Sequence, residues 1–132
     1  MAFIPLTDFE GKQMELPGTN GVTFVKNGLV KFSSGYLALA AAGDDVVGFL
    51  CLEDKVTTAT GQLVKVLPLD GGMRFQALCG TTPVQATHCG NYYDITDGVT
   101  LDLTGTNDKV FQVEKIVDAT AKLVEGRFWM RE

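Results

Sequence analysis

The side chains in this sequence best able to do chemistry are a single histidine, His88, and three cysteines, Cys51, Cys79 and Cys89. A thiolate paired with an imidazole would serve acyl transfer, because the imidazole takes the thiol proton and leaves a nucleophilic sulfur. His88 and Cys89, however, are neighbours in VQATHC, a segment that reads as a strand, where adjacent side chains point to opposite faces. The two are therefore not expected to react together. Cys51 or Cys79 could approach His88 through folding, but no third group stands out to orient the imidazole. A zinc site would draw on the same residues, commonly through CxxC or CxxH spacing, and neither spacing occurs. Three cysteines at irregular intervals, each in or beside an apolar run, read instead as buried thiols of a chain made in a reducing compartment.

The acids offer little more. Asp94, Asp97, Asp102 and Asp108 are close in sequence, and hard cations want several oxygen ligands, but their spacing is not DxDxDG. They read as solvated turn residues. Gly43, Asp44 and Asp45 spell the GDD of metal-dependent polymerases, a chemistry that needs further acids and a far larger chain, so GDD reads as a turn. Glu10, Glu15, Glu53 and Glu114 fall in separate segments and suggest no carboxylate pair. Glycine-rich phosphate loops and the GxSxG elbow are missing from the sequence. The residues thus point to no catalytic, cofactor-binding or metal-binding set, and the chain is expected not to be an enzyme.

What remains is the framework. With 132 residues, 45% of them hydrophobic and 20% charged, the chain can bury one sizeable core and does not have a disordered composition. The net charge of -5 comes with scattered Lys and Arg, so nucleic acid is not an expected partner. The longest apolar runs, such as Tyr36 to Ala42, fall well short of the roughly 20 residues that cross a bilayer, and no membrane partner is expected. The opening MAFIPLTDFEG lacks the basic and apolar segments of a secretory signal, so the protein is expected in the cytoplasm of the cell that makes it.

Short Val, Leu and Phe runs alternate with Gly, Asn, Asp and Ser turns about every ten residues, the pattern of an all-β barrel or sandwich. Asn27 and Gly28 predict a hairpin or sharp corner; a two-residue loop would set Thr23 and Val25 opposite Phe32 and Val30. Ser33 to Gly35 form the next turn, and YLALA, read as a strand, is expected to pair across AAGDD with VVGFLCL. Three strands follow in LVKVLPL, MRFQAL and VQATHC, then a YYDI and VTLDL pair turning at Asp97 and Gly98. KVFQVEKIV and LVEGRFWM close the domain as a hairpin.

Residues 1–21 stand apart as an extended N-terminal arm before a barrel domain at 22–132, because Pro5, Pro17 and the glycines interrupt regular structure. Phe3, Ile4, Leu6, Phe9, Met14 and Leu16 in that arm are too apolar to leave in water, each large side chain gaining roughly 1.5–3 kcal/mol on burial. They pack either on their own barrel or on a neighbouring subunit or partner sheet. Trp129, beside Arg127 and Arg131, is a further interface candidate.

Four segments carry a resemblance: KNGLVKFSSGYLALA, DDVVGFLCLED, LVKVLPLDGGMRFQAL and KVFQVEKIVDATAKLVEGRFWM. In this layout the chain resembles the capsid decoration, or cement, proteins of tailed bacteriophages. The resemblance implies a small β-barrel or β-tulip, often trimeric, whose partner is the major capsid protein on the outer surface of the expanded head. It also implies an N-terminal arm reaching onto the capsid or a neighbouring copy, with assembly in the host cytoplasm and residence on the virion. Other readings are a tail or connector subunit and a small-ligand-binding barrel. An open apolar cavity would mark the ligand barrel, and a filled barrel with an arm reaching away from it would mark the decoration protein.

Overall fold

A computed structural model describes residues 3–7, 11–44, 47–70 and 72–129. The chain is almost entirely β. In order it forms β1 (Phe3–Pro5), β2 (Met14–Pro17), β3 (Thr23–Phe24), β4 (Leu29–Ser33), β5 (Tyr36–Leu39), β6 (Phe49–Cys51), β7 (Lys55–Val56), β8 (Leu63–Pro68) and β9 (Phe75–Leu78). A single helical turn, α1 (Gln85–His88), precedes β10 (Tyr92–Asp97), β11 (Thr100–Asp102), β12 (Phe111–Asp118) and β13 (Leu123–Phe128).

Two sheets and a short ribbon result. One sheet runs β1-β9-β13-β12-β10-β11, the second β2-β8-β6-β4-β5, and β3 pairs with β7. Both sheets curl toward closure. The end of β9 meets β11 through a parallel bridge between Cys79 and Leu101, and the chain beyond β2 meets β5 through one between Gly18 and Leu37.

The main core fills the space between the sheets: Leu29, Leu50 and Leu67 come from the five-stranded sheet, and Phe75, Phe111, Val113 and Val124 from the six-stranded one. Their sequence neighbours Val30, Cys51 and Val66 point the other way, into a second cluster built around Phe24. The five-stranded sheet is thus buried on both faces over much of its area. That accounts for the nearly continuous apolar runs of β6 and β8, since alternation appears only where one face meets water.

Local turn chemistry explains several elements. Ser34 and Gly35 have φ of 53° and 87°, the pair of positive values that a two-residue hairpin loop needs, and β4 and β5 pair around them with Ser33 opposite Tyr36. The hairpin of β12 and β13 and that of β10 and β11 also form as expected.

At Asn27 and Gly28 the chain turns a corner instead of forming a hairpin. Asn27 alone has positive φ, 67°, and the Gly28 N–H donates to the Val25 carbonyl at 3.1 Å. Positive φ at Asn27 alone, the second central residue of the turn Val25 to Gly28, is the type II pattern, which does not match strand twist and splays the flanking segments apart. Thr23 therefore pairs with Val56, and Val30 with Leu39 and Phe49; the expected facing of Thr23 and Val25 with Phe32 and Val30 is not formed. Likewise β5 and β6 do not pair, because β4 lies between them. Residues 40–48 are long enough to carry the chain past it. Within that crossing Asp44 accepts the Ala41 N–H and the Lys31 ammonium, each at 2.7 Å, so the described part of GDD is a turn.

VQATHC is not a strand. Gln85–His88 make one helical turn, closed by the His88 N–H donating to the Val84 carbonyl at 2.8 Å. The ring Nδ1 of His88 accepts the Val84 N–H at 2.7 Å, satisfying a donor that a helix start leaves open. Four residues are too few to show a period, which is why the segment reads as a strand.

The first residues are extended, but they belong to the domain's own sheets. β1 pairs with β9, Phe3 opposite Ala77, and β2 pairs with β8, Met14 opposite Val66. Hydrogen bonding therefore runs across the expected boundary at residue 21, and the described residues of the segment do not form an arm reaching away. The physical reason is Phe3, whose burial holds β1 on its own sheet.

Candidate functional site

The residues expected to bind a partner separate into three groups. Phe3 is fully buried, with its ring centroid 5.8 Å from that of Phe111 and 5.2 Å from that of Phe128, and it is core, not contact surface. Ile4 and Leu16 are half-buried at the edges of different sheets, while Leu6, Met14 and Trp129 are exposed. Phe9 lies outside the described residues. Trp129 stands on Tyr92, with centroids 5.0 Å apart, and the sheet order puts β9, β13 and β12 between β1 and β10. The structure does not gather these side chains into one patch.

The cysteines and acids have structural roles. Burial raises the thiol pKa of Cys51 and pushes that of Cys79 up to about 12, so at neutral pH both are protonated and poor nucleophiles. Asp94 is a correction to the reading of solvated turn acids. It is buried, and its carboxylate accepts the N–H groups of Asn107, Asp108 and Lys109 at 3.1, 2.7 and 2.9 Å. The loop before β12 is thus wound onto an internal anion, which satisfies the charge and three backbone donors together. Asp102 accepts the hydroxyl and N–H of Thr104, which hold its carboxyl below the usual range. Among the described residues no group of three His, Cys, Asp or Glu could hold a metal ion.

The Cys79 shift has a measurable consequence. Its pKa is raised on folding, so the stability it favours is complete below the unfolded value of 9.0 and is lost as pH rises toward about 12. Urea unfolding should show stability falling by up to about 1.4 kcal/mol per pH unit above pH 9 from this thiol. In Cys79→Ala that part of the slope should vanish; an unchanged slope would show that Cys79 does not titrate this way.

A concave site that sequence reasoning missed lies where the ribbon meets the two sheets. It is an open cavity of about 270 Å³ with mostly apolar walls, lined by Thr23, Val25, Gly28, Leu39, Ala40, Asp97, Gly98 and Val99. Its walls come from the corner before β4, the end of β5 and the β10–β11 turn. The Leu29 N–H donates to the Gly98 carbonyl at 2.7 Å and the Ala40 N–H to the Leu29 carbonyl at 3.0 Å, tying these three segments together. Val25 and Leu39 are 39% and 44% exposed. Asp97 folds its own turn, accepting the Val99 N–H on Oδ1 at 2.9 Å. The one signal available in the sequence was apolar side chains, Val25 and Val99, placed at turns.

The fold defines an all-β barrel-like domain with two packed core clusters and an open apolar site. No protein-family model matches the chain, and no curated protein or solved structure is a match for it.

Proposed function

We propose that the protein is a structural component of a tailed-phage virion that binds the outer surface of the expanded head and stabilises the capsid lattice, with the major capsid protein as its partner and a trimer as its working form. The observation that carries this reading beyond the resemblance is the distribution of apolar side chains. Both curled sheets are packed with side chains, including Phe3, Phe24, Phe75 and Phe111, all fully buried. Binding is left to the outside, where Phe32, Val56, Leu63 and Trp129 are 43–60% exposed. A domain filled with side chains suits a part that adds contacts to one state of a shell, because a ligand stabilises whichever state it binds preferentially, and three linked copies multiply that effect. The support no longer comes from an arm, since the described part of residues 1–21 lies on the domain itself. A second reading, ligand binding, is favoured by the apolar cavity alone.

Cosedimentation of the purified protein with expanded and unexpanded heads, alongside its mass in solution, tests the proposal. Binding to expanded heads only, by a trimer, is the expected result. Failure to bind any expanded head would sink it.

A further inference from the structure

We infer that the cavity between Val25, Leu39, Val99 and Asp97 is a socket for a cationic side chain, arginine above all, presented by the partner protein. The inference rests on the protein-binding reading above and names the chemistry by which that reading would operate. Three observations on the site carry it.

First, the walls are aliphatic and open on one side, which suits the methylene stem of a long side chain. Second, Asp97, an exposed residue, lines the same cavity and makes no ion pair among the described residues. Its Oδ1 is engaged by the Val99 N–H, leaving Oδ2 as the acceptor for an incoming cation, and the chain's charge of -5 favours a basic partner. Third, the apolar surface continues beyond the cavity. Thr23 on its wall pairs with Val56, so the two share a face of the ribbon, and Val56 is 60% exposed. An apolar collar around a socket with one fixed charge is how interface anchors are seated, where surrounding contacts exclude water from a central group. Arginine is favoured over lysine because its guanidinium is more weakly hydrated and loses less on leaving water.

The test uses the full chain and two readouts. In methyl-resolved NMR, N-acetyl-arginine amide should shift the methyls of Val25, Leu39 and Val99 saturably, with N-acetyl-citrulline amide, its uncharged analogue, at least tenfold weaker. Asp97→Asn should abolish the difference between the two while leaving the fold intact, because asparagine keeps the oxygen that the Val99 N–H needs and removes only the charge. Equal binding of both probes, or shifts elsewhere on the surface, would overturn the assignment of a cation and point to a neutral apolar ligand. In cosedimentation, Asp97→Asn and Leu39→Ala should each weaken binding to expanded heads by tenfold or more. Wild-type binding by both variants overturns the socket and leaves the decoration reading standing. A wild-type protein that binds the arginine probe but no head overturns the decoration reading and leaves the socket.

Discussion

Phe3→Ala is expected to lower the unfolding free energy by about 3–5 kcal/mol, the range for emptying a buried phenylalanine site. Phe3 is 0% exposed and packs against Phe111 and Phe128, and those two rings also meet each other at 5.0 Å. One side chain from the chain's beginning therefore completes a cluster whose other members come from the last hairpin. Its backbone matters as well. The Phe3 N–H donates to the Asn27 carbonyl at 3.1 Å, and β1 covers the edge of β9 along Phe75 to Ala77. Deleting residues 1–5 should then do more harm than the point substitution, since it opens a sheet edge as well as a cavity. Phe3→Leu, which keeps most of the volume, should lose far less. Urea unfolding followed by far-ultraviolet circular dichroism measures all three. A wild-type midpoint for Phe3→Ala would place Phe3 outside the core. A deletion variant that stays folded but fails to assemble would return the segment to the role of an arm.

The second large effect is at Gly126 in the middle of β13. A methyl group there would be driven onto the carbonyl oxygen of Gln112 and would lie 2.8 Å from Cε1 of Phe111. The first of these is backbone and cannot swing aside. The close approach arises where the β12–β13 register slips, between Val113 opposite Gly126 and Lys115 opposite Glu125, so that β12 carries one extra residue and bends toward its partner. Gly126→Ala should therefore cost about 3 kcal/mol or more, at or beyond the upper end for overpacking. Gly48→Ala is the control. It meets nothing within 4 Å, and its cost should stay within about 0.5 kcal/mol. A Gly126→Ala protein with the same urea midpoint as the Gly48→Ala control would refute the tight strand crossing.

Gly126 also shows what a linear reading leaves out. In LVEGRFWM a glycine inside a strand signals a bulge or a close approach, but nothing local says which residue comes close. Gln112 is fourteen positions away, and its carbonyl arrives only because β12 and β13 pair in one register. Turns are different. Ser34 with Gly35, and Asp97 with Gly98, carry their conformational preferences within a few residues, and the hairpins they close are legible in the sequence. The corner at Asn27 was half legible. Its turn was visible, but not that the turn would run from Val25 to Gly28 with positive φ at Asn27 only, which sends the flanking strands into different sheets.

The candidate site was the least legible feature. Val25, Leu39 and Val99 belong to three segments far apart in the chain, and each alone looks like an ordinary apolar residue near a turn. Cys89 and His88 illustrate the opposite error. They are conspicuous by type, yet α1 spends the His88 ring on a backbone donor.

Composition and turn spacing were enough to specify an all-β domain, its closing hairpin and the absence of recognisable catalytic motifs in the sequence, because alternation and turn propensity are properties of neighbouring residues. The return of β1 to its own β9, the pairing of Thr23 with Val56, the winding of a loop onto Asp94 and the assembly of the socket are long-range matters. Each depends on which distant partner buries the most apolar surface and satisfies the most backbone groups at once, and that competition is resolved only when the whole chain packs.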